Sequence, residues 1–352
     1  MNQNMTDKKK DRPFVCVRCM TFNHEAYIED ALNGFVIQQT TFPFVVAIIN
    51  DASTDKTKSV INEFVENNCI YNPEIDLRIE EYGTVLDVTV KDNPHCIFHI
   101  VHLNENHYGK KSKLPYFAKY ENAAKYVAMC EGDDYWTDPL KLQRQVDFLE
   151  ANPDYGMVAT AFQQVRNAER LPFDMVIYEK DEIVIDDILK GLWIATMTVM
   201  YRSVILQDYT PPFDKLLMGD LPLWGYIAMH YRVGYMKDIT ATYRKLDAST
   251  CHFVDPKNQY IFDLHAMRVR EYYAILASRE NIIQPIFAHN TKYMLDQCYK
   301  YQWFDFPVDV LWRLLLQYST PSGYDRLKYI ALKHPWMYKF ASMIIVLKLR
   351  VK

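Results

Sequence analysis

The chain has 352 residues, 49% of them hydrophobic and 24% charged, which is an ordinary globular composition with room for one large domain and an appendage. Its formal net charge of -4 excludes nucleic acid as a bulk electrostatic partner. No apolar stretch reaches the length that spans a bilayer.

Residues 1–12 are polar, carry Lys8-Lys9-Lys10 and lack an apolar signal core, so they read as a disordered leader of a cytoplasmic protein. Phe14–Met20 reads as a strand, and Asn23 as the N-cap of a helix whose apolar face is Tyr27, Ile28, Ala31, Leu32, Phe35 and Val36. Cys16 and Cys19 form a C-x-x-C inside that first strand, where their side chains would face opposite sides. No second pair matches a zinc spacing, so all seven cysteines read as reduced thiols in a reducing compartment. Phe44–Asn50 is a near-continuous apolar strand that breaks at Asp51-Ala52-Ser53-Thr54-Asp55, and a helix follows with Val60, Ile61, Phe64 and Val65 on one face. Residues 67–96 show no clear period. Ile97–Leu103 is a strand, His107–Lys113 a basic loop, Pro115–Lys125 a helix and Tyr126–Cys130 a short buried strand. Thr137-Asp138-Pro139 opens a helix buried through Leu142, Val146 and Leu149.

Short buried strands alternating with helices predict an α/β fold, a mostly parallel sheet with helices on both faces. Beyond Gly156 the pattern is mixed. Met157–Val165, Met197–Arg202, Val233–Lys237 and Thr240–Lys245 read as strands, and Asp186–Leu192 and Leu221–Tyr231 as helices. From Pro256 onward the signals are helical. The expected organisation is therefore a domain over 13–255 and a C-terminal helical region over 256–352.

The chemistry concentrates at two strand ends. Glu131-Gly132-Asp133-Asp134-Tyr135-Trp136 places three carboxylates just past the Tyr126–Cys130 strand. In an open α/β sheet that edge is where ligands bind. Clustered carboxylates repel one another unless a cation compensates them, and a hard divalent ion carrying a substrate phosphate is the obvious compensator. Asn50-Asp51-Ala52-Ser53-Thr54-Asp55 ends a second parallel strand and opens on the same edge. The chain has neither a G-x-G-x-x-G nor a G-x-x-x-x-G-K-[ST], which argues against a dinucleotide fold and a P-loop enzyme.

Five ordered motifs over about residues 14–250 resemble those of family 2 glycosyltransferases, nucleotide-sugar enzymes with a two-lobed α/β fold of the glycosyltransferase A type. They are Thr21-Phe22-Asn23, the run Ile48–Thr57, the run Tyr126–Asp134, the run Gly219–Trp224, and Tyr243-Arg244 followed by Ser249. The resemblance implies an inverting, metal-dependent transfer of a sugar from a nucleotide-diphospho donor, UDP-linked, to a hydroxyl of a glycan or lipid-linked glycan. It implies that Asp51 binds the nucleotide base, that Asp133 ligates Mg2+ or Mn2+, and that Glu131 holds the ribose or helps at the metal. Thr21, Asn23, Asp134 and Trp136 complete the expected nucleotide-sugar site, and Asp220 is the expected general base, ahead of Asp214 and Asp208. Four positions depart from the family pattern: Asn50 and Glu131 for acids of the nucleotide loop and the D-x-D, Gly219 for the acid before the base, and Leu246 for a histidine, with His252 nearby but out of register.

Several residues carry two readings. Trp136 stacks on a sugar face or packs in the core. His24 touches the donor or faces solvent. Lys110, Lys111 and Lys113 steer a diphosphate or form a solvated loop. His99 and His102 read as structural. The C-terminal run Trp336–Phe340 and Met343–Val346, with Lys348, Arg350 and Lys352, either packs on residues 256–330 or makes peripheral contact with the inner face of a membrane. Rival functions are a catalytically inactive sugar- or nucleotide-binding homologue and a sugar nucleotidyltransferase.

Overall fold

The computed structural model describes residues 13–166, 169–246 and 255–349. The expected leader 1–12, together with Ser249 and His252, lies outside the described residues.

The chain forms two compact units. The first comprises residues up to Ile183, Ile194–Tyr209 and His230–Lys245. Its strands are β1 (Val15–Thr21), β2 (Phe44–Asn50), β3 (Cys69–Ile70), β4 (Leu77–Glu80), β5 (Gly83–Val90), β6 (Asn93–Leu103), β7 (Tyr126–Met129), β8 (Tyr135–Trp136), β9 (Tyr155–Arg166), β10 (Glu169–Val176), β11 (Glu182–Ile183), β12 (Met200–Arg202) and β13 (Arg232–Lys245). They make one sheet in the order β11-β13-β9-β12-β7-β1-β2-β6-β5-β3, with β10 on β9, β4 on β5 and β8 on β13. All seven residues of β2 are buried. Such a strand reads as a continuous apolar run because both faces of the sheet are covered. One face is covered by α1 (Ile28–Val36), α2 (Thr57–Asn68) and, after α3 (Leu114–Glu121), by α4 (Lys141–Ala151), through Ile28, Phe35, Ile61, Phe64, Leu142 and Leu149. The other face holds Cys16, Val45, Ile49 and, from α3, Phe117. Cys16 and Cys19 fall in these opposite layers, and both are free and buried.

The expected parallel sheet is present at its centre, where β7, β1, β2 and β6 run parallel, and again between β9 and β13. The flanks are antiparallel, because β5 returns on β6 as a hairpin and β12 runs against both β7 and β9. The aperiodic stretch 67–96 is that hairpin edge. β4 is exposed along its whole length, so it carries no one-sided apolar signal. The two strands expected over 233–245 are one, β13, interrupted by register shifts around Ile239. The expected strand Met197–Arg202 begins as a 3-10 turn, Thr196–Thr198, before β12.

The second unit comprises residues 184–193, 210–229 and those from 246 onward. It holds α5 (Asp220–His230), α6 (Pro256–Leu276), α7 (Glu280–Lys300), α8 (Val308–Tyr318), α9 (Gly323–Lys333) and α10 (Tyr338–Leu349). The boundary expected at residue 255 is corrected by its core. Ile185, Leu189, Phe213, Leu216 and Leu221 pack with Leu264, Met267, Phe287 and Leu311, so two segments that lie earlier in the chain belong with the C-terminal helices. Asp220 is therefore a residue of the second unit.

Candidate active site

Parallel pairing sets the site. Thr21 at the end of β1 is in register with Asn50 at the end of β2, and Val15–Arg18 of β1 with Tyr126–Met129 of β7. The segments after β1, β2 and β7 therefore leave the sheet side by side.

The first two are laced together. Asn23 takes a left-handed φ of 56°, which asparagine tolerates. Its Oδ1 accepts from the backbone N–H of Thr54 at 2.8 Å, and its own N–H donates to Ser53 Oγ at 2.9 Å. The backbone N–H of His24 donates to Thr57 Oγ1 at 2.8 Å and that of Glu25 to Asp55 Oδ2 at 3.0 Å. Asn50 Oδ1 accepts from the Ser53 N–H and hydroxyl, and its Nδ2 lies 3.1 Å from His102 Nδ1. Burial pushes His102 down to about 4. The ring is thus neutral, accepts from Asn50 at Nδ1 and donates from Nε2 to Asn62 Oδ1 at 3.1 Å.

Asp51 is 3% exposed. One carboxylate oxygen accepts from the His107 backbone N–H at 2.7 Å and the other from Lys113 Nζ at 2.9 Å. Lys113, read from sequence as steering a diphosphate or as solvated, is tied instead to Asp51, and the basic loop is anchored there. Asp87 gathers His99 Nδ1 at 2.6 Å and the Tyr120 hydroxyl at 2.9 Å, which gives His99 a structural partner.

The acidic motif forms the third wall. The Gly132 N–H donates to Met20 O at 2.9 Å. A Cβ on Gly132 would sit 2.7 Å from Thr21 Oγ1 and 2.9 Å from Ile28 Cδ1, so only glycine lets the motif lie against β1. Glu131 accepts from Thr196 Oγ1 at 2.6 Å. The Asp133 side chain is 21% exposed, with His24 Nε2 at 3.8 Å. Asp134 is 4% exposed and accepts from the Arg244 N–H at 2.8 Å. Burial, and then Asp133, push the Asp134 carboxyl well up. Arg244 donates to Asp133 O at 2.9 Å, pairs with Asp30 and lies over the Tyr27 and Tyr135 rings. Thr21 Oγ1 and His24 Nδ1 are buried with no partner among the described residues.

One expected site residue is corrected. Trp136 is 1% exposed, meets Phe35 edge-on and donates its indole N–H to Met197 O at 2.9 Å. A ring without an open face cannot stack on a sugar, so Trp136 is the packed floor under the motif. Beside it lies Lys141, 0% exposed, with Nζ 4.9 Å from the Trp136 ring centroid and 2.6 Å from Gln145 Oε1.

A divalent ion fits this donor set. Asp133 and Asp134 adjoin past the end of β7, and among the described residues Asp134 is held by the Arg244 backbone N–H and not by a side-chain ion pair. Among the described residues no three His, Cys, Asp or Glu side chains form a complete cage. A partial set suits an ion whose remaining ligands are substrate phosphates and water.

In the second unit, Asp220 opens α5 and accepts from the Leu221 N–H at 2.8 Å. Desolvation pushes its carboxyl up, and the nearby Arg270 guanidinium opposes this. The rival Asp214 is exposed. Sequence reasoning missed Thr196 on Glu131 and the anchoring of Asp51 by His107. Neither contact has a local signal, because the partners are 65 and 56 residues apart.

No family model matches the chain. In fold it is similar to S. aureus TarS 1–349 in complex with UDP-GlcNAc, with a TM-score of 0.56 and 16% identity over 84% of this chain and 80% of that one. The same TarS fragment in complex with UDP gives 0.54 and 17% over 90% and 88%. The fold is thus a mixed α/β one of the glycosyltransferase A type with C-terminal helices. In sequence, Rv1520 of Mycobacterium tuberculosis and Mb1547 of Mycobacterium bovis, both described as uncharacterized, are 31% identical over 238 residues, covering 64% of this chain and 57% of theirs. The chain spans little more than half the length of these relatives.

Proposed function

We propose that this chain is an inverting, metal-dependent glycosyltransferase that moves a sugar from a UDP-linked donor to a hydroxyl of a glycan or lipid-linked glycan acceptor. The observation that carries this reading is the pairing of partly open Asp133 with buried Asp134 at the strand edge shared with Thr21, Asn23 and Asp51. The fold supports it, since the similar TarS structures were solved with UDP-GlcNAc and UDP.

In this reading Asp133 holds a divalent ion, Mg2+ or Mn2+, and Glu131, steadied by Thr196, meets the ribose. The ion, when bound, neutralises charge on the leaving diphosphate. Asp51 and the loop it anchors border the nucleotide base. Asp134 fixes the motif on Arg244. Asp220 takes the proton of the acceptor hydroxyl, as a carboxylate with a raised pKa does efficiently. A single displacement then inverts the anomeric centre.

The test is calorimetry of UDP binding with and without Mn2+, together with release of UDP from UDP-sugars. Binding should require Mn2+ and be lost in Asp133→Asn. Equal binding by wild type and variant would overturn the metal assignment. Release of pyrophosphate would make the chain a nucleotidyltransferase, and metal-dependent binding without turnover of any donor would make it a binding homologue.

A further inference from the structure

The last helix, α10, has apolar side chains on two sides, and only one is covered. On the inner side Ala341 is 2% exposed, the Tyr338 hydroxyl donates to Tyr299 O at 3.2 Å, the two tyrosine rings lie 4.7 Å apart, and Ser342 hydrogen-bonds the Tyr299 hydroxyl. This much matches the expectation that the segment packs on the preceding helices. Trp336 lies in the 3-10 turn Pro335–Met337 that leads into α10, Phe340 and Met343 follow on α10 at i and i+3, and the three are 80%, 55% and 53% exposed. A helix that is apolar all round is normally buried all round. An uncovered stripe led by a tryptophan marks an interaction surface.

The charge around the stripe says what covers it. Residues 326–352 contain seven Lys and Arg and no Asp or Glu. The acids that face this region from α7 and α8, Asp296 and Asp309, are already paired with Lys328 at 2.6 Å and Lys333 at 2.6 Å. Lys339 is exposed beside the stripe, and the sequence adds Lys348, Arg350 and Lys352. A second copy would bring this basic surface against itself. An anionic lipid surface complements both the charge and the apolar stripe. At 12 residues, α10 is about 18 Å long, too short to cross a bilayer, and no described helix is long and apolar enough to do so.

We propose that the face formed by Trp336, Phe340 and Met343, with Lys339 beside it, lies in the headgroup region of an anionic phospholipid membrane and attaches the second unit to it. The tryptophan sits at the headgroup boundary, the other two side chains enter the acyl edge, and the lysines meet lipid phosphates. The inference stands independently of the catalytic reading.

The experiment is flotation of the full chain with phosphatidylcholine vesicles, with and without phosphatidylglycerol. The chain should float with the anionic vesicles only, and less in high salt. The double variant Trp336→Glu, Phe340→Glu should lower the partition coefficient by about tenfold or more, with an unchanged thermal midpoint because both side chains are exposed. Lys339→Glu reads the charge contribution separately and should weaken binding without touching the stripe. Absence of flotation with anionic vesicles, or equal flotation of the double variant, overturns the proposal. So does a wild-type dimer, seen by light scattering, that the double variant abolishes without any vesicle binding, since the face would then belong to a second copy.

Discussion

Replacing Lys141 by methionine should stabilise the first unit near neutral pH. Lys141 is fully buried beneath the acidic motif, and desolvation pushes its ammonium down from 10.5 to about 7, against the weaker pull of Cys130 and Asp138. A depression of that size corresponds to about 5 kcal/mol for holding the charged form in the fold. The unfolded chain binds this proton more readily between pH 7 and 10.5, so stability rises with pH across that window. Below about pH 7 the penalty is complete. Methionine removes the charge and keeps an unbranched side chain against Trp136. It also strips Gln145 Oε1 of its 2.6 Å donor, a loss of about 1–3 kcal/mol. The net expectation is a gain of about 2–4 kcal/mol at neutral pH.

The assay is calorimetric melting of wild type and Lys141→Met across the pH range 6 to 9. Between pH 7 and 9 the wild-type penalty shrinks by about 2 kcal/mol, so the gap between the two proteins should narrow as pH rises. Groups that titrate elsewhere cancel in this difference. A constant gap, or a variant that melts below wild type at pH 7, would refute the reasoning and make the lysine's hydrogen bonds the dominant contribution.

Gly132→Ala should destabilise the first unit by about 1–3 kcal/mol and weaken donor binding, since its Cβ would lie 2.7 Å from Thr21 Oγ1; melting and calorimetry read the two effects. Asp51→Asn leaves Lys113 without its buried carboxylate and should loosen the 106–113 loop, seen as faster amide exchange there with little change in the β9–β13 pair on the other side of the sheet. Asp220→Asn keeps the helix start, because asparagine caps as well as aspartate, and should leave UDP and metal binding intact while lowering turnover about 10²-fold or more; near wild-type transfer would remove Asp220 as the base and bring Asp214 forward.

Much of the fold was legible because burial writes itself into short runs. The sequence reading of Phe44–Asn50 as a buried strand matches β2 residue for residue, since a strand covered on both faces is a near-continuous apolar run, broken here only by the hydrogen-bonded Asn50 at its end. Where only one face is covered, or none, that signal fades. β4 is wholly exposed and gave no period. β13 read as two strands because its polar middle, Lys237-Asp238, sits where the ladder shifts register. The domain boundary failed for a different reason. Helical segments at 185–189 and 220–230 carry apolar faces that would suit either unit, and only the tertiary partners, Leu264 and Met267 among them, decide between them.

The candidate site divides along the same line. Chain position alone brought out the acidic loops after β2 and β7, because carboxylates just beyond a buried strand are conspicuous and parallel pairing puts both on one edge. What each side chain does there depends on neighbours far along the chain. Trp136 adjoins three carboxylates in sequence, yet strand alternation turns it inward under Phe35 and Met197 while Tyr135 stays partly open. Asp51 is in the loop expected to meet the nucleotide base, yet its carboxylate is engaged by His107 and Lys113, so under the proposed function it would serve the base by holding the 106–113 loop in place. Asp133 differs from both. It is partly open, its neighbour Asp134 is buried with a raised carboxyl, and Arg244 is committed to Asp30 and to backbone oxygen. Among the described residues Asp133 then faces only His24, whose imidazole is held below its usual range by burial, and no lysine or arginine side chain pairs with it. A cation brought with a diphosphate would balance it, which is why the metal assignment rests on Asp133 rather than on the larger cluster that the sequence displays.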